Sequence, residues 1–337
     1  AKEVEAVGQQ WHWTFRLPGE DGEFGSVDAT LVKDDNPFGM NPEDPKGQDD
    51  VLIENGEVHL LVNTPVKMLL RSKDVLHDFA VAQFRVKMDL VPGLVTFLWV
   101  EPTVPGRYEI LCEELCGIGH HAMRGMVVVD EQADYNKWLE QQPTYAEVQA
   151  IAAADAMAGA ANYAVCTACH GAQGEGNPIL NAPKIAGQEA WYTKRQIANY
   201  KSGKRGAHSD DLYGQQMAPM AATLFNDAAV NNVAAYIETL PDMEADVTVT
   251  GDVANGERIW RNCAVCHGER GEGIQAMNAP RQAGMDDWYL ARQLRNFKNE
   301  IRGSHGQDLY GQQMVRMSNI LITDQAVDDV VAYINTL

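Results

Sequence analysis

The chain has 337 residues, 45% of them hydrophobic, and a formal net charge of −20. That length allows two or three domains, and nowhere do eighteen uncharged apolar residues run together, which excludes a membrane-spanning helix within it. The acidity is uneven: residues 1–154 carry 26 acids against 12 bases, 155–240 carry 7 against 6, and 251–337 carry 11 against 9, a balance that argues against nucleic acid and suits a basic protein partner.

The opening stretch, AKEVEAVGQQWHWTF, does not read as a signal peptide. The Pro/Gly/Asp-rich stretch NPFGMNPEDPKGQDD at 36–50 matches no element. From residue 51 the segments EVHLLVN, FAVAQFRVKMD, GLVTFLWVEP, GRYEILC and MRGMVVVD are rich in Val, Ile, Leu and Phe and are separated by Pro and Gly. They predict short strands, and the spacing of the turns suggests an antiparallel sandwich or barrel.

Between the last two of these strands lies CEELCGIGHHAM, residues 112–123. Thiolates, imidazoles and a thioether are the ligands that electron-transfer copper uses. A mononuclear blue site needs one cysteine, whereas Cys112 and Cys116 together can bridge two coppers. Zinc is the rival, since two Cys and two His satisfy it. A disulfide across Cys-x-x-x-Cys in a tight loop has awkward geometry.

After an Ala-rich linker over 141–154, the second half repeats itself at an offset of 97 residues. CTACHGAQGEG (166–176) returns as CAVCHGERGEG (263–273), DLYGQQM (211–217) returns unchanged at 308–314, and VAAYIETL (233–240) returns as VVAYINTL (330–337). Cys-x-x-Cys-His is the attachment motif of c-type haem. Cys166 and Cys169, and again Cys263 and Cys266, add to the haem vinyl groups, and His170 and His267 ligate iron. A thioredoxin-like pair does not require the histidine, and a zinc ribbon needs a second pair in each repeat. A sixth ligand from methionine raises the haem potential. Each repeat offers two candidates, Met217 or Met220 and Met314 or Met317. Apolar residues at helical spacing follow Asn226 and Thr323, predicting closing helices. His208 and His305 lie in polar loops and read as solvated.

Three segments of the first part together resemble cytochrome c oxidase subunit II. The loop Cys112-x-Glu114-Leu115-Cys116-Gly117-x-x-His120-x-x-Met123 is similar to that family's dinuclear CuA loop, DVLHDFAVAQFRVKMDLVPG (74–93) to its upstream segment, and QWHWTF (10–15) to its aromatic stretch. The resemblance implies a cupredoxin-like barrel in which Cys112 and Cys116 bridge two coppers. His77 and Met123 then complete one copper, and His120 and the Glu114 carbonyl the other. It also implies a magnesium ion near the Glu114 side chain at the contact with the catalytic subunit, an electron-inlet role for Trp11, and no role for His121.

The second part resembles two-lobed diheme members of the class-I cytochromes c. In that family the axial methionine lies about seven residues before the leucine that precedes the last helix. Met217 and Met314 stand at that interval from Leu224 and Leu321. The implied architecture is an all-β cupredoxin-like domain (1–140), a linker (141–154), a first all-α cytochrome c domain (155–240), a linker (241–250) and a second (251–337).

The expected function is electron transfer from a donor, through two haems c and CuA, to the catalytic subunit I of a terminal oxidase that reduces O2. No residue here is expected to perform the oxygen chemistry itself. The donor is expected to be a soluble cytochrome or a quinol-oxidising complex. The expected location is the periplasmic face of the bacterial inner membrane, with a membrane anchor upstream of these residues. Two alternatives stand beside this reading: the electron inlet of a CuA-containing nitric oxide reductase, and a free-standing soluble carrier or copper-delivery protein.

Overall fold

The computed structural model describes residues 2–337 except 34, 35, 55 and 152–154. The chain forms two units, Ala1–Ala150 and Ile151–Leu337.

Among the described residues, ten strands build the first unit: β1 (Lys2–Gln9), β2 (His12–Leu17), β3 (Val51–Ile53), β4 (Glu57–Leu61), β5 (Val66–Ser72), β6 (His77–Val81), β7 (Val86–Leu90), β8 (Thr96–Val100), β9 (Gly106–Leu111) and β10 (Arg124–Asp130). They form two five-stranded sheets, ordered β3-β2-β1-β5-β8 and β4-β10-β9-β6-β7. Alternating burial along β5 and β7 marks strands with one face in the core. The antiparallel arrangement expected from the sequence holds for most pairs, but β1 with β5 and β4 with β10 are parallel. The chain changes sheet between those partners, so strands distant in sequence become neighbours without a hairpin.

Every residue of β2 is buried, which a strand with one face in solvent could not achieve. Phe24, Gly25 and residues of 36–50 explain it. Arg16, fully buried on β2, donates to Glu5 Oε2 (2.8 Å), to Asp50 Oδ2 (3.1 Å) and to the Gly25 carbonyl (3.2 Å). The rings of Phe24 and Phe38 lie over its guanidinium at 4.6 and 5.4 Å. Phe38 and Met40 pack with Val7, Leu52 and Tyr145 in one cluster. The unassigned 36–50 stretch therefore roofs the outer face of the first sheet.

Two helices follow the barrel, α1 (Gln132–Leu139) and α2 (Tyr145–Ile151). The second falls inside the stretch expected to be linker. The Tyr145 ring enters the Phe38/Met40 cluster, and its backbone N donates to the Asp50 carbonyl at 2.8 Å, so this stretch packs on the barrel. Residues 152–154 of that expected linker lie outside the described residues.

The second unit holds two lobes. The first comprises α3 (Ala156–Tyr163), α4 (Thr167–His170), α5 (Ala190–Lys201), α6 (Leu212–Ala221) and α7 (Asp227–Glu238). The second comprises α8 (Val253–His267), α9 (Asp287–Lys298), α10 (Leu309–Ser318) and α11 (Asp324–Ile334). The closing helices begin where the sequence placed them: Asn226 and Thr323 cap α7 and α11 through their side chains. In each lobe the opening helix crosses the closing one at a glycine. A Cβ on Gly159 would meet the Asn232 carbonyl at 2.0 Å, and one on Gly256 the Asp329 carbonyl at 2.0 Å. Each lobe has its own apolar core, one around Tyr163, Val230, Val233 and Ile237, the other around Trp260, Val327, Val330 and Val331.

Candidate metal centre and haem sites

β6 opens with His77, β9 delivers Cys112, and the loop that follows returns through a short turn at His120–Ala122 to β10. The Cys112 N–H donates to the Met123 carbonyl at 3.3 Å and closes the loop. Inside it, Cys112 Sγ and Cys116 Sγ lie 3.7 Å apart, both buried. His77 Nδ1 is 3.9 Å and the Glu114 carbonyl oxygen 3.2 Å from Cys112 Sγ. His120 Nδ1 is 3.5 Å and Met123 Sδ 3.8 Å from Cys116 Sγ. The six ligands named from the sequence thus converge, and one ligand atom each from His77, Cys112 and Cys116 lies within 4.8 Å of the others.

The surroundings hold that arrangement. His77 Nε2 faces Asp74 Oδ1 at 2.7 Å, which leaves Nδ1 for the site. Asp74 also accepts the Gln10 N–H at 2.7 Å. Trp11 is 5% exposed, and its indole N–H donates to the Cys116 carbonyl at 3.1 Å, with Gln10 Nε2 on the same oxygen at 2.7 Å. A Cβ on Gly119 would meet the Trp11 ring at 2.4 Å, so the loop and the indole are fitted to each other. The tryptophan expected as electron inlet is therefore a packed wall of the site. His121 is exposed, as is Leu115 at the loop tip.

The two thiols ionise unequally. Cys112 is drawn down chiefly by the hydrogen bond with Cys116, and Cys116 is pushed far up by its neighbour's thiolate and by burial. Keeping both as thiolates requires cationic charge between them. That is the chemistry of a thiolate-bridged metal pair, and the donor set fits copper.

In the second unit Cys166, Cys169, Cys263 and Cys266 are free, as Cys112 and Cys116 are in the first. His170 and His267 are buried, and their Nδ1 atoms donate to the carbonyls of Pro183 (2.8 Å) and Pro280 (2.7 Å). Burial holds both imidazoles below their usual range against those bonds, so each presents a neutral ring with Nε2 free for a metal. Met314 shares a cavity with His267, Met285, Leu290, Leu294 and Phe297. In the first lobe Met217 is half-buried, while Met220 is exposed.

Sequence reasoning did not find the group of arginines between the lobes. Arg195 donates to Asn278 Oδ1 at 2.6 Å, and its repeat partner Arg292 to Asn181 Oδ1 at 2.6 Å. Arg205 donates to the Tyr289 hydroxyl at 2.6 Å, and Arg302 to that of Tyr192 at 2.9 Å. Arg195 lies 4.5 Å over Tyr310, and Arg292 lies 4.3 Å over Tyr213. Each contact is thus matched by its counterpart 97 residues on. The signal was in the repeat, which keeps Arg, Tyr, Gln and Asn at these positions in both copies.

Among the described residues no carboxylate pairs with any of these four arginines, and the Nε atoms of Arg195 and Arg205 are buried without a partner. Arg205 and Arg302 are buried guanidinium groups whose hydrogen bonds go to neutral oxygens, which is costly. Haem brings propionate carboxylates of the missing sign, so the residues present fit it.

Two sheets carrying a thiolate–imidazole–thioether cluster, followed by paired helical lobes with haem-attachment motifs, define an electron-transfer protein of copper and c-type haem. The family comparisons agree. Residues 2–131 match the model of the cytochrome c oxidase subunit II periplasmic domain, and residues 156–241 and 253–337 match that of cytochrome c. The chain belongs to these families, a subunit II periplasmic domain followed by two cytochrome c domains, and that membership implies CuA copper and haem c.

Among curated relatives, it is 56% identical over 146 residues to the alternative cytochrome c oxidase subunit 2 of Bradyrhizobium diazoefficiens, covering 43% of this chain and 53% of that one. It is 34% identical over 166 residues to cytochrome c4 of Pseudomonas aeruginosa, covering 47% and 78%. The chain spans about half the length of the first of these relatives. Among solved structures, reduced cytochrome c4 from Pseudomonas stutzeri aligns with 26% identity over 55% of this chain and 100% of that one, at a TM-score of 0.44. The periplasmic domain of subunit II of cytochrome oxidase from Bradyrhizobium japonicum aligns with 27% identity over 41% and 91%, at a TM-score of 0.30.

Proposed function

We propose that this chain is the electron inlet of a terminal respiratory oxidase, receiving electrons from a donor protein and delivering them to a catalytic subunit that reduces O2. The observation that supports it best is the pair of buried sulfurs 3.7 Å apart with two imidazoles, a thioether and a carbonyl gathered around them. In this reading Cys112, Cys116, His77, His120, Met123 and the Glu114 carbonyl would hold the copper pair. Cys166, Cys169, His170 and Met217 would hold one haem, and Cys263, Cys266, His267 and Met314 the second.

Bound there, a bridged copper pair and haem iron each supply a one-electron site. The protein's part is to hold them still. Asp74 fixes the His77 ring, Trp11 and Gln10 hold the Cys116 carbonyl, and the proline carbonyls fix the two haem histidines. Rigid ligands that change little between oxidation states keep the barrier to electron transfer low. The partners are the catalytic subunit I, with the Glu114 side chain at that contact as a magnesium ligand, and the donor. The location is the periplasmic side of the membrane.

Metal analysis of the purified chain is expected to give two coppers and two haem irons, with a copper resonance split by two equivalent nuclei. One copper per chain, or tightly bound zinc, overturns the dinuclear site. Copper lost on dialysis turns the reading toward metal delivery.

The axial methionines give a second test. Met217→Ala or Met314→Ala is expected to lower the potential of the haem in that lobe, because loss of a thioether favours ferric iron. Met220→Ala and Met317→Ala are expected to change it much less. A redox titration that ranks them the other way shows the ligands are Met220 and Met317.

A further inference from the structure

The two carboxylates that open α5 and α9 do not cap their own helices. Glu189 is the N-cap of α5 and Asp286 that of α9, yet neither side chain accepts a bond from its own first turn. Aspartate is among the preferred residues for that task. These two occupy the same position in the repeat, 97 residues apart, and both side chains reach into the other lobe. Asp286 Oδ2 accepts the backbone N–H of Lys184 at 2.7 Å, and Glu189 Oε2 accepts the backbone N–H of Arg281 at 3.1 Å.

The peptide groups they touch also matter. The Lys184 N–H belongs to the peptide whose carbonyl, on Pro183, accepts the His170 Nδ1–H at 2.8 Å. The Arg281 N–H belongs to the peptide whose carbonyl, on Pro280, accepts the His267 Nδ1–H at 2.7 Å. Each haem histidine is thus joined through one peptide unit to a carboxylate of the opposite lobe. An anion on the N–H side polarises a peptide and makes its oxygen a better acceptor. A stronger acceptor at Nδ1 makes the imidazole a more basic iron ligand, and a more basic ligand favours the ferric state.

We propose that Asp286 and Glu189 are positioning residues that act across the lobe interface, each lowering the redox potential of the haem in the other lobe through the peptide that holds its histidine. This rests on the reading of His170 and His267 as iron ligands. The relay from Asp286 is the stronger: its bond is shorter and Asp286 is 9% exposed, whereas Glu189 is half-buried. The second lobe also divides the Pro280 carbonyl, which accepts Gln282 Nε2 at 3.2 Å as well.

The test is a redox titration of the full chain with each haem followed by its own assigned methyl resonances. Asp286→Asn keeps an acceptor for Lys184 but removes its charge. At a fixed solution potential it is expected to raise the reduced-to-oxidised ratio of the haem at Cys166 and Cys169 by roughly threefold, since a charge-assisted bond is about twice as strong as a neutral one. The haem at Cys263 and Cys266, on the lobe that carries Asp286, is expected to stay near its starting ratio. Glu189→Gln is expected to show the reverse pattern with a smaller shift, and Asp286→Glu to restore the original ratio.

If Asp286→Asn moves its own lobe's haem as much as the other, the charge acts through space and the relay is refuted. Absence of any shift also refutes it. Should Asp286→Asn unseat the lobes, Glu189→Gln carries the same crossed test at a more exposed site. A failed ligand reading is separable, because the unmodified chain would then lack the spectrum of histidine-ligated haem.

Discussion

Replacing His77 with alanine is expected to abolish copper binding while both haems remain attached. His77 is fully buried at the start of β6, with Nδ1 directed at Cys112 and Nε2 held by Asp74. Loss of an outer partner of a metal ligand alone costs about 10–100-fold in affinity. Removing the ligand itself is expected to exceed about 100-fold, and Asp74→Asn to fall within that lower range. The haems are expected to survive because their cores are formed elsewhere: among the described residues, the clusters around Val233 and Val330 contain only residues of the second unit. Copper and iron analysis of both variants checks this, with circular dichroism to confirm that the barrel is folded. Loss of haem on His77→Ala would mean that the two units do not fold separately. Full copper retention would remove His77 from the ligand set.

The candidate metal loop was legible because its residues are local. Cys112, Glu114, Cys116, His120 and Met123 lie within one turn of chain, and only His77 had to be brought from another strand. The haem motifs were legible for the same reason. What the sequence concealed is non-local. Arg16 looks like any surface arginine until Phe24, Phe38 and Asp50 close over it, because nothing near it in sequence announces Glu5 and Asp50 as partners. Tyr145 lies in an Ala- and Gln-rich stretch that reads as linker, and only the pocket formed by Phe38, Met40 and Leu52 makes it an anchor. The lobe interface was half visible. The letter-for-letter return of DLYGQQM after 97 residues shows that the copies share a fold. It does not show that Tyr213 and Tyr310, within that stretch, each receive an arginine from the opposite copy.

That reciprocity has a consequence for a shortened chain. A chain ending at Leu240 is expected to form a symmetric dimer through the first lobe. The contact between lobes is self-complementary in residue type: Arg195 seeks an Asn at the position of Asn278, and the first lobe carries that same residue as Asn181. Arg205 seeks Tyr289 and Gln293, and the first lobe carries Tyr192 and Gln196. The stacking partner of Arg195, Tyr310, has Tyr213 as its equivalent. One lobe therefore holds both halves of a two-fold interface, the condition for closed dimers. In the intact chain the second lobe occupies that face, so the full-length protein is not expected to pair through it. Sedimentation of the haem-loaded truncated chain over a concentration range checks this. Arg205→Ala in the truncated chain is expected to weaken the dimer by about 2 kcal/mol, roughly thirtyfold in Kd, as for a central arginine at an interface. A truncated chain that stays monomeric at all concentrations would show that pairing needs features found only in the second half. The Asp242 carboxylate, which ties Lys184 to Arg281 and lies beyond Leu240, is such a feature.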